Sequence, residues 1–299
     1  MLPQSKVHTV LSRGAVSQFA ALLVLLLSAT LAFATDERTG GPYVPTPQGV
    51  VDAMLELAQV GPRDFVVDLG SGDGRIVLTA ARRYKARGLG VDIDDELVDQ
   101  SNAEAQRLGL ADRVTFRLGD VLEAKIDEAT VLTLYLMPGM MQLLQPKLAR
   151  ELKPGTRIVS HDFPLGEWKP DREIVVDVPE KYGSPGAWKS TLYYWIVPAH
   201  VEGSWEVSAR AVLAEPLALM LQQHYQFLEG GTQVRGKRVP LAGGRVEAAR
   251  VRFTLTLPRG AYEFRGVVEG DRMRGEVVQG GRVESWNALK IKAASTVAR

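Results

Sequence analysis

The sequence predicts an α/β protein: a parallel sheet covered by helices on both faces, followed by an antiparallel β-meander or small barrel. Three observations predict it. Between Pro47 and Val197, short apolar runs alternate with helical segments of roughly 10–15 residues, the pattern of βαβ crossovers. Beyond residue 199, paired glycines punctuate alternating polar and apolar runs. Charge splits at the same place: residues 35–198 carry 19 Lys and Arg against 25 Asp and Glu, net −6, and residues 199–299 carry 15 against 10, net +5. With 299 residues, 45% hydrophobic and 24% charged, the chain has the composition of an ordinary globular protein and the length of about two domains. A formal net charge of +1 gives no global basic field, so nucleic acid is not an expected partner. The absence of cysteine excludes disulfides, thiolate metal sites and a cysteine nucleophile.

Residues 1–34 hold Lys6 and Arg13, no acid, and an apolar run from Phe19 to Leu27 that continues through Leu31 and ends in Ala32-Phe33-Ala34. A charged start, a short apolar core and a small-residue exit read as a secretory signal peptide, so the chain is expected to be exported to a periplasm or secreted. The alternative is an uncleaved helix that anchors the protein at a membrane, although the run is shorter than the ~20 residues of a spanning helix. The expected domains are therefore 1–34, signal; 35–198, the α/β unit; and 199–299, the β-rich unit.

Thr35–Pro42 is a polar, glycine-rich linker. A helix is expected from Pro47, with Thr46 as its N-cap. Phe65–Leu69 is a short apolar strand that runs into Gly70-Ser71-Gly72-Asp73-Gly74 and a helix over about 75–84. Gly88–Ile93 is the next strand and Asp95–Leu108 a helix opened by acids that suit its dipole. Val114–Arg117 and Val131–Leu136 are further strands, Met140–Leu152 a helix closed by Lys153-Pro154-Gly155, and Arg157–Ser160 and Leu192–Val197 the last strands of this unit.

The glycine turn between strand and helix narrows the ligand. A nicotinamide-type loop reads G-x-G-x-x-G and cradles a pyrophosphate. Here the loop is G-x-G-x-G, follows Asp68 and contains Asp73. At ~4 Å and an effective dielectric near 20, each carboxylate–phosphate contact costs about 4 kcal/mol. The loop therefore favours a cationic ligand, and S-adenosylmethionine (SAM) carries a sulfonium, an ammonium and no phosphate. Asp92 ends the next strand, where a carboxylate accepts ribose hydroxyls; Asp94 suits the alternative role of helix cap. Asp120, after the third strand, is placed to accept the adenine amine, with the Val121 N–H facing a ring nitrogen; alone, it reads as a turn residue.

The run Val66–Ile76, with Asp92 and Asp120, resembles the class I SAM-dependent methyltransferases. Tyr43-Val44-Pro45-Thr46-Pro47 and Asp68–Ile76 are similar to the protein-lysine methyltransferases that modify ATP synthase subunit c and the adenine nucleotide translocase. The resemblance covers about residues 42–175. It implies a Rossmann-like seven-stranded methyltransferase sheet with its last strand antiparallel, SAM as cofactor, and a protein lysine as acceptor. It also implies an upstream segment folded over the cofactor, with Tyr43 and Thr46 near its methionine part. The implied cofactor residues are Tyr43, Thr46, Asp68, Gly70, Ser71, Gly72, Asp92, Asp120 and Val121.

The end of the fourth strand faces the transferred group in such a fold and reads Tyr135-Leu136-Met137-Pro138. It lacks the [D/N/S]-P-P-[Y/F] of enzymes that methylate base amines. Tyr135 is a candidate to line the acceptor slot, or is an ordinary strand aromatic. His161, in Ser160-His161-Asp162, is a candidate base, or a hydrogen-bonded loop histidine. No metal-ligand spacing appears. A non-catalytic nucleoside-binding module and a small-molecule methyltransferase remain the alternatives.

In residues 199–299 the turns fall at Gly230-Gly231, Gly243-Gly244, Arg259-Gly260, Gly270-Asp271 and Gly280-Gly281. Gly203-Ser204-Trp205 is a G-x-W of the kind found in lipocalin-type barrels, with Trp205 expected to plug one end. Met220–Phe227 fits strand or helix and is read as strand. The net +5 belongs to a solvated face or to the contact with an acidic partner.

Overall fold

The computed structural model describes residues 40–181, 184–210 and 212–291. The signal or anchor expected over residues 1–34 lies outside them. Among the described residues, no helix is long and apolar enough to cross a membrane.

The first unit runs α1 (Gln48–Leu57), β1 (Phe65–Leu69), α2 (Arg75–Tyr84), β2 (Arg87–Asp92), α3 (Asp95–Arg107), β3 (Val114–Leu118), β4 (Val131–Leu134), α4 (Pro138–Glu151), β5 (Arg157–His161), β6 (Arg172–Lys181) and β7 (Ser184–Ile196). Its seven strands lie in the order β3-β2-β1-β4-β5-β7-β6. β1 to β5 are parallel, and β7 runs antiparallel to both β5 and β6. The central strands β1, β4 and β5 are buried along nearly their whole length and mostly apolar, because both faces are covered. Val66, Val131 and Val159 pack on Val50, Val51, Met54 and Leu55 of α1. Their neighbours Val67, Leu69, Leu132, Leu134 and Ile158 pack on Met140, Met141, Leu144 and Leu148 of α4.

Three local expectations change. Helix α1 is capped by Pro47, and Thr46 makes no capping bond; its hydroxyl turns inward instead. Strand β4 stops at Leu134 because its partner β1 ends at Leu69, where the glycine turn begins, so Tyr135–Met137 peel away from the sheet. Strand β6 was not expected. It is an exposed edge strand, and Pro179 sits at a register shift between Val178 and Glu180, where a missing N–H is tolerated.

The second unit is a closed antiparallel barrel of β8 (Gly203–Ser208), β9 (Leu217–His224), β10 (Phe227–Val234), β11 (Lys237–Glu247), β12 (Arg250–Leu257), β13 (Gly260–Glu269), β14 (Arg272–Gln279) and β15 (Arg282–Lys290). Consecutive strands pair, and β15 closes on β8. The expected strand over 220–227 is the end of β9, a turn at Tyr225-Gln226 and the start of β10. Side chains fill the interior. Phe253 stacks on Phe264 at 4.8 Å, and Trp286 meets Phe264 edge-on at 5.4 Å. Gly266 leaves room for that indole: a Cβ there would lie 2.7 Å from Trp286 Cζ2. Trp205 is fully buried and donates to the Val201 carbonyl at 2.8 Å.

The two units meet through side chains. Gln226 donates to the Lys169 carbonyl at 2.7 Å, and Arg245 pairs with Asp171. The Tyr225 ring stacks on Trp168 at 5.0 Å, and its hydroxyl accepts from Gln145.

Candidate functional site

At the carboxyl ends of β1, β2 and β4 the chain leaves the sheet in three loops, and a cavity of about 640 Å³ opens between them. Such crevices are where open α/β sheets bind ligands. Tyr43, Thr46, Asp68, Gly70, Ser71, Gly72, Asp92, Asp120, Val121 and Tyr135 all line it; His161 does not.

The glycine turn is built by close approach. Gly70, Gly72 and Gly74 have φ of 77°, 51° and 74°, which favours glycine at each. A Cβ on Gly72 would lie 2.7 Å from the Tyr43 ring, and one on Gly70 2.6 Å from Leu136. Backbone N–H groups of Gly70 and Ser71 donate to the Val91 carbonyl, locking the turn to β2.

Five aspartates line the cavity, in different states. Asp68 is buried, accepts from the Thr133 hydroxyl at 2.7 Å, and is pushed up to about 7, chiefly by loss of solvent. Asp92 is held by the N–H groups of Gly72 at 2.7 Å and Asp94 at 3.1 Å, which aim it at the cavity. Asp94 in turn caps α3. Asp120 lines the cavity while its Oδ1 accepts from Leu122 N–H at 2.8 Å, so the turn role and the rim position coexist.

Asp73 is different. It is clamped by Arg75 at 2.5 Å and lies below the usual carboxylate range despite its burial. The argument against an anionic ligand therefore rests on Asp68 and Asp92, since Arg75 neutralises Asp73. The same Arg75 donates to the Thr46 carbonyl at 2.8 Å, and Met137 N–H donates to the Gly40 carbonyl at 2.9 Å. These bonds strap residues 40–46 across the glycine turn. Arg75 was visible in the motif, but its reach to Thr46, 29 residues back, was not.

Tyr135, Phe163, Leu136, Met137 and Met140 form the apolar end of the cavity. Tyr135 lies against the His161 ring at a centroid distance of 4.0 Å, with Phe163 at 6.3 Å on a near-parallel plane. His161 is buried behind Tyr135, its nitrogens 2.9 Å from Ser190 Oγ and 3.4 Å from Thr46 Oγ1. Burial lowers its pKa to about 4; neighbouring Asp162 opposes that shift and Lys181 adds to it. A neutral ring one layer behind the cavity wall is a support for Tyr135, and Phe163 is the wall residue that sequence reasoning missed. Among the described residues, no His, Asp and Glu cluster has the arrangement of a metal site.

Comparison with known proteins gives this geometry a family. Residues 68–172 match the ANTKMT methyltransferase domain. A protein-lysine N-methyltransferase of Saccharolobus islandicus is 41% identical over 160 residues, which cover 53% of this chain and 95% of that protein. The chain belongs to the ANTKMT methyltransferase family. It is a SAM-dependent methyltransferase. The mouse adenine nucleotide translocase lysine N-methyltransferase is 36% identical over 129 residues, and the match spans 43% of this chain and 56% of that enzyme. A crystal structure of an RNA methyltransferase from Salinibacter ruber with S-adenosyl-L-homocysteine is 51% identical, covering 53% of this chain and 96% of that one at a TM-score of 0.47.

The site fits the cofactor. The Ser71 hydroxyl is buried at the cavity wall with no hydrogen-bond partner among the described atoms, an acceptor and donor in want of a ligand. Two acids in different hydrogen-bonding states face a turn whose Gly70, Gly72 and Gly74 leave no room for a Cβ. That donor set suits a cationic nucleoside.

Proposed function

We propose that this methyltransferase acts on a lysine ε-amino group of a protein, and that it works outside the cytoplasm or at a membrane. The observation that carries the acceptor class is the apolar end of the cavity, walled by Tyr135, Phe163, Met137 and Met140. An ammonium entering such a slot loses solvent, which lowers its pKa and delivers the free amine. The tyrosine face adds an attraction for the flat approach of an alkylammonium before it loses its proton. The names of the Saccharolobus and mouse relatives support the same acceptor.

When bound, SAM supplies a methyl group already activated on sulfonium, so the chain's own work is alignment and exclusion of water. Asp92, its carboxylate already fixed by two backbone N–H groups, would hold the ribose hydroxyls. Asp120 and the Val121 N–H would receive the adenine. Asp68 would supply the negative charge for the cationic part, with Ser71, Tyr43 and Thr46 beside it. Tyr135 orients the acceptor, and His161 holds Tyr135 in place.

The experiment is transfer of labelled methyl from SAM to protein and RNA fractions of a cell extract, followed by mass spectrometry of the labelled product. Methylated lysine is the expected result, and Tyr135→Ala is expected to lower kcat by more than about tenfold. Label in RNA or in small molecules alone refutes the acceptor. Intact-mass analysis of the natively expressed protein tests location: a mature chain starting at Thr35 supports export, an intact N-terminus recovered with membranes supports anchoring, and an intact N-terminus in the soluble fraction refutes both.

A further inference from the structure

The barrel has two ends of different character. The turns at 225–226 and 248–249 meet the sheet unit, where Ala199 N–H donates to the Ala248 carbonyl and Gln226 donates to the Lys169 carbonyl. The β10–β11, β12–β13 and β14–β15 turns lie at the opposite end. Residues 212–216 cover that end from within: Leu213 is buried in the barrel core, and the Tyr262 hydroxyl lies 3.5 Å from the Val212 carbonyl.

The far end collects charge from distant parts of the chain. Arg210, Arg235, Lys237, Arg238, Arg259 and Arg282 all stand there, exposed. The acids of the same rim are Glu215, Glu263 and Glu284; Glu263, level with Val283, is paired with Arg265, and Glu284 is on the inward-facing side of β15, in register with Val277. None of the six cations forms an ion pair with another described residue. Elsewhere on the barrel, Arg250 pairs with Glu247, Arg265 with Glu263 and Arg274 with Glu269, and only Arg252 and Arg272 are exposed arginines without an ion pair to a described residue. The excess of positive charge in this unit is therefore concentrated at one tip, pointing away from the acidic sheet unit.

We propose that this rim docks the enzyme on an anionic phospholipid surface. Among the described residues, the turns of the rim carry no exposed aromatic side chain on which a base stacks, which disfavours nucleic acid. Val283, 56% exposed beside Arg282, gives it an aliphatic contact suited to a headgroup layer. A membrane is also the anionic surface that a chain beginning with the apolar run of residues 19–32 meets, whether that run is cleaved or retained. The proposal does not depend on the identity of the methyl acceptor.

Co-sedimentation of the full chain with phosphatidylcholine vesicles, with and without phosphatidylglycerol, tests it. Lys6 and Arg13, before the N-terminal apolar run, also respond to lipid charge, so the rim variants, compared with wild type on the same vesicles, isolate the rim. Binding is expected to strengthen at least about tenfold with the anionic lipid and to fall back in high salt. R235E/K237E/R238E is expected to abolish that gain while leaving the melting curve and methyl transfer in solution unchanged, and R259E/R282E, on two other turns, is expected to do the same in part. Equal binding to both vesicles, charge-reversed rims that bind like wild type, or a preference for polyuridylate over anionic vesicles in competition would each overturn the proposal.

Discussion

Burial pushes the Asp68 carboxyl up to about 7, with only the Thr133 hydroxyl to oppose it and the charges of Asp92 and Asp73 adding to the rise. The unfolded chain holds the same carboxyl near 3.8. Between these values the folded protein binds more protons, so stability falls as pH rises from about 4 to about 7. The loss is on the order of 4 kcal/mol at most, since each unit of difference is worth about 1.4 kcal/mol. A cationic ligand against the ionised carboxylate recovers part of it. Asp68→Asn is therefore expected to flatten this slope and to melt higher than wild type at pH 8, yet to lose the SAM-induced rise in Tm. In wild type, SAM affinity by titration calorimetry is expected to strengthen as pH rises through about 7. A variant that still binds SAM like wild type would remove Asp68 from the site. His161 makes the opposite case: with its pKa at about 4 it does not titrate near neutrality. The profile of kcat against pH at saturating SAM is expected to keep its shape in His161→Gln while its height drops. Loss of an inflection near 6.5 in the variant would restore His161 to the role of base. The sequence motif exposed Asp68, Asp92 and the glycines, because tight turns and strand-end acids are local features. It concealed which acid was neutralised and which histidine was buried, because both depend on partners brought in by the fold.

At the scale of elements, legibility followed the hydrophobic period. Strands β1 to β5 and helices α2 and α3 were legible within a residue or two, since each is a run bounded by glycine, proline or a cap. Strand β6 was not, because an edge strand exposed on most of its length carries no apolar signal. The meander was visible in its paired glycines, and a small barrel was one of its two expected forms; which strands close it was not legible, because β15 pairs with β8 across the whole unit and no local pattern encodes such a pairing. What closure demands can be tested at Gly266. Its register partner on β14 is Gly275, and the space above it is taken by the Trp286 ring. Gly266→Val drives a branched side chain into that ring and into the Arg274 carbonyl, 2.7 Å from the position of a Cβ. A filled barrel has no slack, so overpacking is expected to cost about 2–3 kcal/mol, read as a lower urea midpoint. An unchanged midpoint would mean that Trp286 has a second place to go. Methyl transfer by the folded fraction is expected to be unaffected, because no barrel residue lines the cavity.

Over the whole molecule, the question is whether barrel and sheet unfold together. The junction is narrow but made of well-packed groups: Tyr225 stacks on Trp168, a fully buried member of the sheet's core, and reaches Gln145 of α4. Trp168 in turn offers its carbonyl to Trp195 of β7 at 2.7 Å. A stack of this kind is worth about 1 kcal/mol beyond the area it buries, and deleting a large aromatic costs about 3 kcal/mol or more where the site does not collapse. Stability gained at the cavity is then shared with the barrel only while this contact stands. SAM at 100 times its Kd adds about 2.7 kcal/mol to whatever unfolds with the site. In wild type one calorimetric transition is expected, and SAM is expected to move all of it. Tyr225→Ala is expected to split the transition, with SAM raising the sheet's melting and leaving the barrel's where it was. A single peak that still moves as a whole would place the coupling in the Arg245–Asp171 pair and the Gln226 bond instead, and Gln226→Ala in the same background decides between them.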